Sequence, residues 1–301
     1  NVVQGDQQTA GWLLRHPDIK AASFVGSTPV ARSIYKASGD SGKRVQALGG
    51  AKNHAVVLPD ADVETATNAI MGAAYGSCGQ RCMALSVVVS VGDETADAVA
   101  DVLNKKVSGL NIGPGVDNLD MGPLNSSPQR DRIVGLIQEG VDQGATILVD
   151  GRRHASYQQP GFYLGGTLFD NVKPGMSIYD EEIFGPVLCL VRVKTAADAM
   201  RIINDNQYGN GTCIFTRDGY SARTYANEVE AGMVGINVPL PVPVANHSFG
   251  GWKDSRFGDL AAYGPDGVRF YTRRKTITER WSSAADGKGI DFAFPGSRSV
   301  G

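Results

Sequence analysis

Short β-branched runs alternate with amphipathic stretches of helical period along nearly the whole chain, and this alternation limits the folds open to it. A parallel strand pair needs a long crossover between its members, and a helix is the usual one, so the pattern predicts an α/β fold built on parallel sheet. Residues 7–16 read as a helix, 21–25 as a short buried strand, 28–38 as a helix and 43–48 as a strand. A second unit opens with a strand at 54–58, and a helix then starts from the acids of Asp60-Ala61-Asp62 and stops at Gly76. Leu85 to Val91 is apolar without alternation, as befits a strand covered on both faces. Helices at 94–107, 127–143, 195–205 and 219–230 and strands at 145–149, 187–193, 211–216 and 233–237 continue the pattern. Residues 267–278 alternate polar and apolar and read as a long strand able to add to a neighbour's sheet. The two α/β units join near residue 50.

The 301 residues carry 29 basic and 31 acidic side chains, a net charge of −2, with the two signs interleaved. That balance argues against nucleic acid or an anionic membrane as a partner. No apolar run approaches the ~20 residues of a spanning helix. Asn1 to Asp6 has neither the basic nor the apolar region of a secretory signal, lacks an initiator methionine and reads as the end of a strand. Four cysteines are too few for a disulfide framework in such a chain, so a reducing compartment is expected. Cys189 and Cys213 lie in apolar runs and read as core thiols. Cys78 and Cys82 form a Cys-x-x-x-Cys pair without a second pair, and the four histidines are isolated, so no metal site is expected.

Four segments can carry chemistry. Phe24-Val25-Gly26-Ser27-Thr28-Pro29 is a strand, a glycine turn and a helix start, which is either a well-capped helix or a seat for a phosphate. No Gly-x-Gly-x-x-Gly accompanies it. In Ser77 to Ala84, Cys82 follows Arg81 on a polar loop; a thiol exposed there, near a guanidinium and free backbone N–H groups, would have a lowered pKa. The alternative is a structural turn. Asp180-Glu181-Glu182 precedes a buried strand, and Lys43 to Leu48 runs into the turn Gly49-Gly50; read singly, these are a solvated acidic turn and a close backbone approach.

Taken together, Phe24–Thr28, Leu48-Gly49-Gly50, Gly79-Gln80-Arg81-Cys82, Glu182–Val187 and Ser248-Phe249-Gly250-Gly251-Trp252-Lys253 resemble the aldehyde dehydrogenase superfamily in content, order and separation. The resemblance implies part of a Rossmann-type NAD domain (1–49), an α/β catalytic domain (50–250), and a return segment with an oligomerisation strand (251–301). It implies that Cys82 is the nucleophile and that Gly26, Ser27 and Gly49 belong to the NAD site. Glu182 would bind the nicotinamide ribose, and Phe184 would pack near the nicotinamide.

One departure narrows the chemistry. Hydrolytic members carry a water-activating glutamate at the position occupied here by Leu48, which cannot act as a base. A thioester left without activated water suits a thiol acceptor such as coenzyme A. Residues 43–61, Gly79–Ala84 and Asn237-Val238-Pro239-Leu240-Pro241-Val242-Pro243 resemble the CoA-acylating branch acting on methylmalonate and malonate semialdehydes. That branch implies NAD as cofactor and CoA as co-substrate. It also implies Arg81 on the substrate carboxylate, loss of that carboxylate as carbon dioxide or bicarbonate, and propionyl-CoA or acetyl-CoA as product. A homo-oligomer is expected, in the cytoplasm of a bacterium or the mitochondrial matrix of a eukaryote. The chain resembles only the C-terminal portion of such enzymes: the Phe-Asn-Phe-Pro-like and Lys-Pro-Ser-like segments that complete the oxyanion site and the adenosine pocket are absent from the sequence. Two other readings stand beside this one, an inactive fragment serving as an interaction module and a hydrolytic aldehyde dehydrogenase using a different base.

Overall fold

Two β-sheets organise the chain, and the turn between them carries the glycine pair singled out above. The structure, a computed structural model, describes residues 1–279 and Trp281. The first sheet has the order β1 (Ala21–Val25), β2 (Arg44–Leu48), β12 (Arg256–Phe257), with β12 antiparallel. Helices α1 (Gln7–Arg15) and α2 (Thr28–Asp40) belong to this part, α2 being the crossover between β1 and β2.

The second sheet has seven strands. They are β3 (Asn53–Val57), β4 (Leu85–Val91), β5 (Thr146–Val149), β6 (Thr167–Asp170), β7 (Val187–Val193), β9 (Gly211–Phe215) and β10 (Met233–Ile236). Their order is β10-β9-β3-β4-β7-β6-β5, parallel except for the edge strand β5. Five helices connect them: α3 (Val63–Tyr75), α4 (Asp93–Ser108), α5 (Ser127–Asp142), α7 (Ala196–Asp205) and α8 (Gly219–Glu228). The short α6 (Ser177–Asp180) precedes β7, and two-residue strands β8 (Tyr208–Gly209) and β11 (Trp252–Lys253) pair with each other.

Local sequence explains the element ends. Asp62 accepts from Thr65 N–H at 2.8 Å and starts α3. Thr195 and Asp198 form a reciprocal capping box on α7. Strands β3 and β9 are buried at every residue, as central strands covered on both faces should be. Between β2 and β3, Gly49 to Lys52 carries the chain from one sheet to the other. Among the described residues no helix is long and apolar enough to cross a membrane.

Three expectations need correction. β1 is half-buried, with Val25 64% exposed, because it is an edge strand of its sheet. β6 has no counterpart among the expected strands; with four residues it is too short to show a period. The expected strand at 267–278 is instead a helix, α9 (Gly264–Tyr271), followed by described residues with neither helix nor strand. Val268 and Phe270 would share one face of a strand, yet Phe270 is buried and Val268 is 67% exposed, the pattern of a helix. Gly264 at φ +66° makes the entry turn, Pro265 suits a first helical turn, and the Arg44 guanidinium donates to the Arg269 carbonyl at the far end. The remainder of the expected strand, 272–278, lies in that stretch after α9, and residue 280 and residues 282–301 of the expected C-terminal segment lie outside the described residues.

Candidate active site

α3 ends at Gly76, and the chain then makes a tight turn with Ser77 and Cys78 in the left-handed region, at φ 52° and 55°. Gly79 follows at φ +65°, where a Cβ would lie 2.2 Å from the Gly185 carbonyl oxygen. Only glycine lets these two loops touch, and the contact brings Cys82 up to the segment carrying Glu182 and Phe184. Cys82 is half-buried, whereas Cys78, Cys189 and Cys213 are buried. The Cys78 thiol donates to the Gly122 carbonyl, and burial pushes its pKa up to about 11. Of the four thiols, Cys82 is the one that lines the cavity beside Glu182.

That cavity has a volume of about 650 Å³ and brings together Gly26, Ser27, Gly49, Cys82, Glu182 and Phe184. Arg81 stands apart from it, in a small adjoining recess, with its Nε donating to Ser77 Oγ at 3.2 Å. This engagement explains a difference from expectation. The Cys82 thiol pKa is raised, first by burial and then by the Glu182 carboxylate, while the backbone N–H groups of Cys82 and Met83 pull the other way. The guanidinium that was expected to lower it is directed at Ser77.

Ser27 is the N-cap residue of α2, but its hydroxyl makes no capping hydrogen bond, and Ser27, Thr28 and Pro29 at this uncapped helix start line the cavity. The neighbouring hydroxyl, Thr28 Oγ1, accepts from Gly50 N–H at 2.8 Å and pins the glycine turn beside the helix start. A Cβ on Gly50 would lie 2.7 Å from a Glu182 carboxylate oxygen, so glycine admits the carboxylate here.

Glu182 is partly buried, and burial pushes its pKa up to about 7 against the Ala51 N–H, Lys52 and Arg132, which favour the anion. Phe184 sits at φ 55°, a conformation costly for an aromatic residue, and stays 37% exposed on the cavity wall. Leu48 is buried and absent from that wall.

Several participants were not found by motif. Lys52 is buried, and its ammonium donates to the carbonyls of Ile178 and Glu181, both at 2.7 Å, which ties the glycine turn to the segment before Glu182. Arg132, on α5, donates to the Ile183 and Glu182 carbonyls at 3.1 and 3.2 Å and lines the cavity with Gln129 and Tyr208. Asn53 and Asn210 both donate to the Cys82 carbonyl.

Comparison with known proteins identifies the family and the fold. The aldehyde dehydrogenase family profile matches residues 1–277. The chain belongs to the aldehyde dehydrogenase family. It is 60% identical over 297 residues to a malonate-semialdehyde dehydrogenase of Pseudomonas aeruginosa, covering 98% of this chain and 60% of that protein. The crystal structure of a methylmalonate-semialdehyde dehydrogenase from Oceanimonas doudoroffii superposes with a TM-score of 0.93 at 56% identity, over 94% of this chain and 59% of the other. A Sinorhizobium meliloti protein assigned as a methylmalonate-semialdehyde dehydrogenase, solved in complex with NAD, gives 0.92 at 51% identity, over 95% and 59%. The chain thus spans about 60% of the length of the Pseudomonas aeruginosa relative.

Proposed function

We propose that this aldehyde dehydrogenase chain takes part in NAD-dependent, CoA-acylating oxidation of methylmalonate or malonate semialdehyde, with Cys82 as the acyl carrier. The observation that carries the reading is the shared cavity, whose lining brings its one thiol together with an uncapped helix start and Glu182; the sequence resemblance, which sets Leu48 at the position of the hydrolytic base, supports CoA as the acceptor. These residues fit NAD. The free amides at the start of α2 and Ser27 suit a pyrophosphate, Gly26 and Gly49 leave room beside it, and Glu182 and Phe184 suit the nicotinamide ribose and ring. When bound, NAD supplies the hydride acceptor.

In this reading the Cys82 thiol gives up its proton to water and the sulfur forms a bond to the aldehyde carbon as the C=O π pair moves onto oxygen. The backbone N–H of Cys82 is a donor for the oxyanion, a contribution of about 3 kcal/mol in comparable sites. Loss of hydride from that carbon leaves a thioester on Cys82. The thioester carbonyl accepts the electron pair of the bond to the β-carboxylate, which departs as carbon dioxide (bicarbonate once water adds to it), and the resulting carbanion is protonated. The acyl group then passes from Cys82 to the thiol of CoA, giving propionyl-CoA or acetyl-CoA and returning the Cys82 thiolate. Arg81 leaves Ser77 to hold the substrate carboxylate, a pairing that a guanidinium fork makes well. Assembly as a homo-oligomer in the cytoplasm belongs to the same proposal.

A hydrolytic reading has one observation in its favour, since Glu182 faces Cys82 with its pKa pushed up to about 7, the range of a general base. NADH formation from malonate semialdehyde, with and without CoA, separates the two for this chain and for a version extended to the length of its relatives. Turnover that needs CoA is expected. Full turnover without CoA overturns the acylating assignment.

A further inference from the structure

Two side-chain amides from adjacent strands converge on one backbone oxygen. Asn53 Nδ2, at the start of β3, donates to the Cys82 carbonyl at 2.9 Å, and Asn210 Nδ2, immediately before β9, donates to the same oxygen at 3.0 Å. Both asparagines are buried, at 2% and 6% exposure. Each is locked by a second contact: Asn53 also donates to the Ala84 carbonyl at 2.9 Å and accepts from Gly211 N–H at 3.1 Å, and Asn210 reaches Met83 Sδ at 3.1 Å. Two amides spent on one loop carbonyl exceed what satisfying that acceptor requires.

The consequence lies across the peptide plane. The Cys82–Met83 peptide is trans, so its carbonyl and the Met83 N–H point in opposite directions. Holding the oxygen toward β3 and β9 turns the N–H to the other side, and there it acts on the Cys82 sulfur in favour of the thiolate. We propose that Asn53 and Asn210 are positioning residues for the Cys82 nucleophile, gripping its carbonyl so that the Met83 N–H is aimed at the sulfur. The pair offsets part of the opposing effect of burial and of Glu182. This rests on Cys82 being the reactive thiol.

The charged and titratable groups around the sulfur are Glu182, Glu181, Asp180, Arg132 and Tyr208 on the cavity wall and Arg81 in the adjoining recess. The hydrogen bonds of the two asparagines reach none of these groups, so a change at Asn210 leaves them in place.

The test is the pH dependence of Cys82 alkylation by iodoacetamide, read on the Cys82 peptide by mass spectrometry, for the chain, Asn210→Leu and Asn210→Ser. Leucine keeps the bulk and removes the donor; the serine hydroxyl is too short to reach. The midpoint is expected to rise by about half a pH unit or more, which is roughly threefold slower alkylation on its acid side. The same rise is expected in a Glu182→Gln background, because the amides act through the Met83 N–H. Thermal melting identifies which variants are folded. If Asn210→Leu does not fold, Asn210→Ser and Asn53→Ser decide. A folded variant with a lowered melting temperature and an unmoved midpoint overturns the proposal, since that is the signature of a purely structural contact. If wild-type Cys82 resists alkylation at every pH, the nucleophile reading itself fails, and the proposal with it.

Discussion

Glu182 should cost the fold stability at neutral pH, and Glu182→Gln should recover it. The carboxyl has an ordinary pKa of 4.5 and is pushed up to about 7 in the folded chain by burial. Below 4.5 the group is protonated in both the folded and unfolded states and makes no difference between them. Between 4.5 and about 7 the unfolded chain releases the proton while the folded chain keeps it, so stability falls as pH rises, and above about 7 the penalty is complete.

Each pH unit of that interval is worth about 1.4 kcal/mol, which sets an upper bound near ~3.5 kcal/mol. Residual solvent access at the cavity mouth reduces this to about 1–3 kcal/mol. The substituted glutamine stays neutral at every pH, and its amide oxygen can still accept from the Ala51 N–H. Chemical denaturation of both proteins at a series of pH values measures the difference directly. Glu182→Gln should be the more stable by about 1–3 kcal/mol above pH 7, with the gain vanishing toward pH 4.5. Parallel stability curves across that range would refute the claim that Glu182 is held against desolvation. The same substitution should weaken NAD binding, which would place this residue among those kept for function at a cost to the fold.

If Leu48 occupies the position of the hydrolytic base, as the sequence resemblance implies, Leu48→Glu should raise CoA-independent acid formation; no gain would contradict the reading of that position. Because Leu48 is buried, the variant should also lose about 3 kcal/mol of stability. Away from the site, Arg192 pairs with the buried Asp170 at 2.7 Å and with Asp97 at 2.6 Å. Arg192→Met should cost about 2–3 kcal/mol in denaturation, since it strands a buried carboxylate; a cost under about 0.5 kcal/mol would show the pair to be no stronger than a surface one.

Most of the α/β framework was legible because its strands are long enough to show their composition and its helices carry caps, as at Asp62 and Thr195. The errors came where tertiary contacts decide. The segment 267–278 alternates like a strand, yet the fold buries Phe270 beneath the Arg44 guanidinium and makes Gly264–Tyr271 a helix. β1 has the composition of a covered strand but stands at a sheet edge.

The wall of the candidate site was legible as motifs, and Gly26, Ser27, Gly49, Cys82, Glu182 and Phe184 meet in one cavity although 158 positions separate the outermost of them (184 − 26). What supports that wall was not legible. Lys52, Asn53, Asn210 and Arg132 act on backbone carbonyls, and a carbonyl leaves no trace in sequence. The direction of the Arg81 side chain was equally hidden, and with it the sign of the Cys82 pKa shift.

The central claim is that Cys82 carries the acyl group and that CoA removes it. The most direct measurement follows NADH formation with malonate semialdehyde and NAD while the mass of the Cys82 peptide is recorded, with CoA withheld and then added. Without CoA, a burst no larger than the enzyme concentration should leave an acyl adduct on Cys82; adding CoA should clear the adduct and restore turnover. Sustained turnover with no adduct on Cys82, or normal activity in Cys82→Ala, would contradict the account.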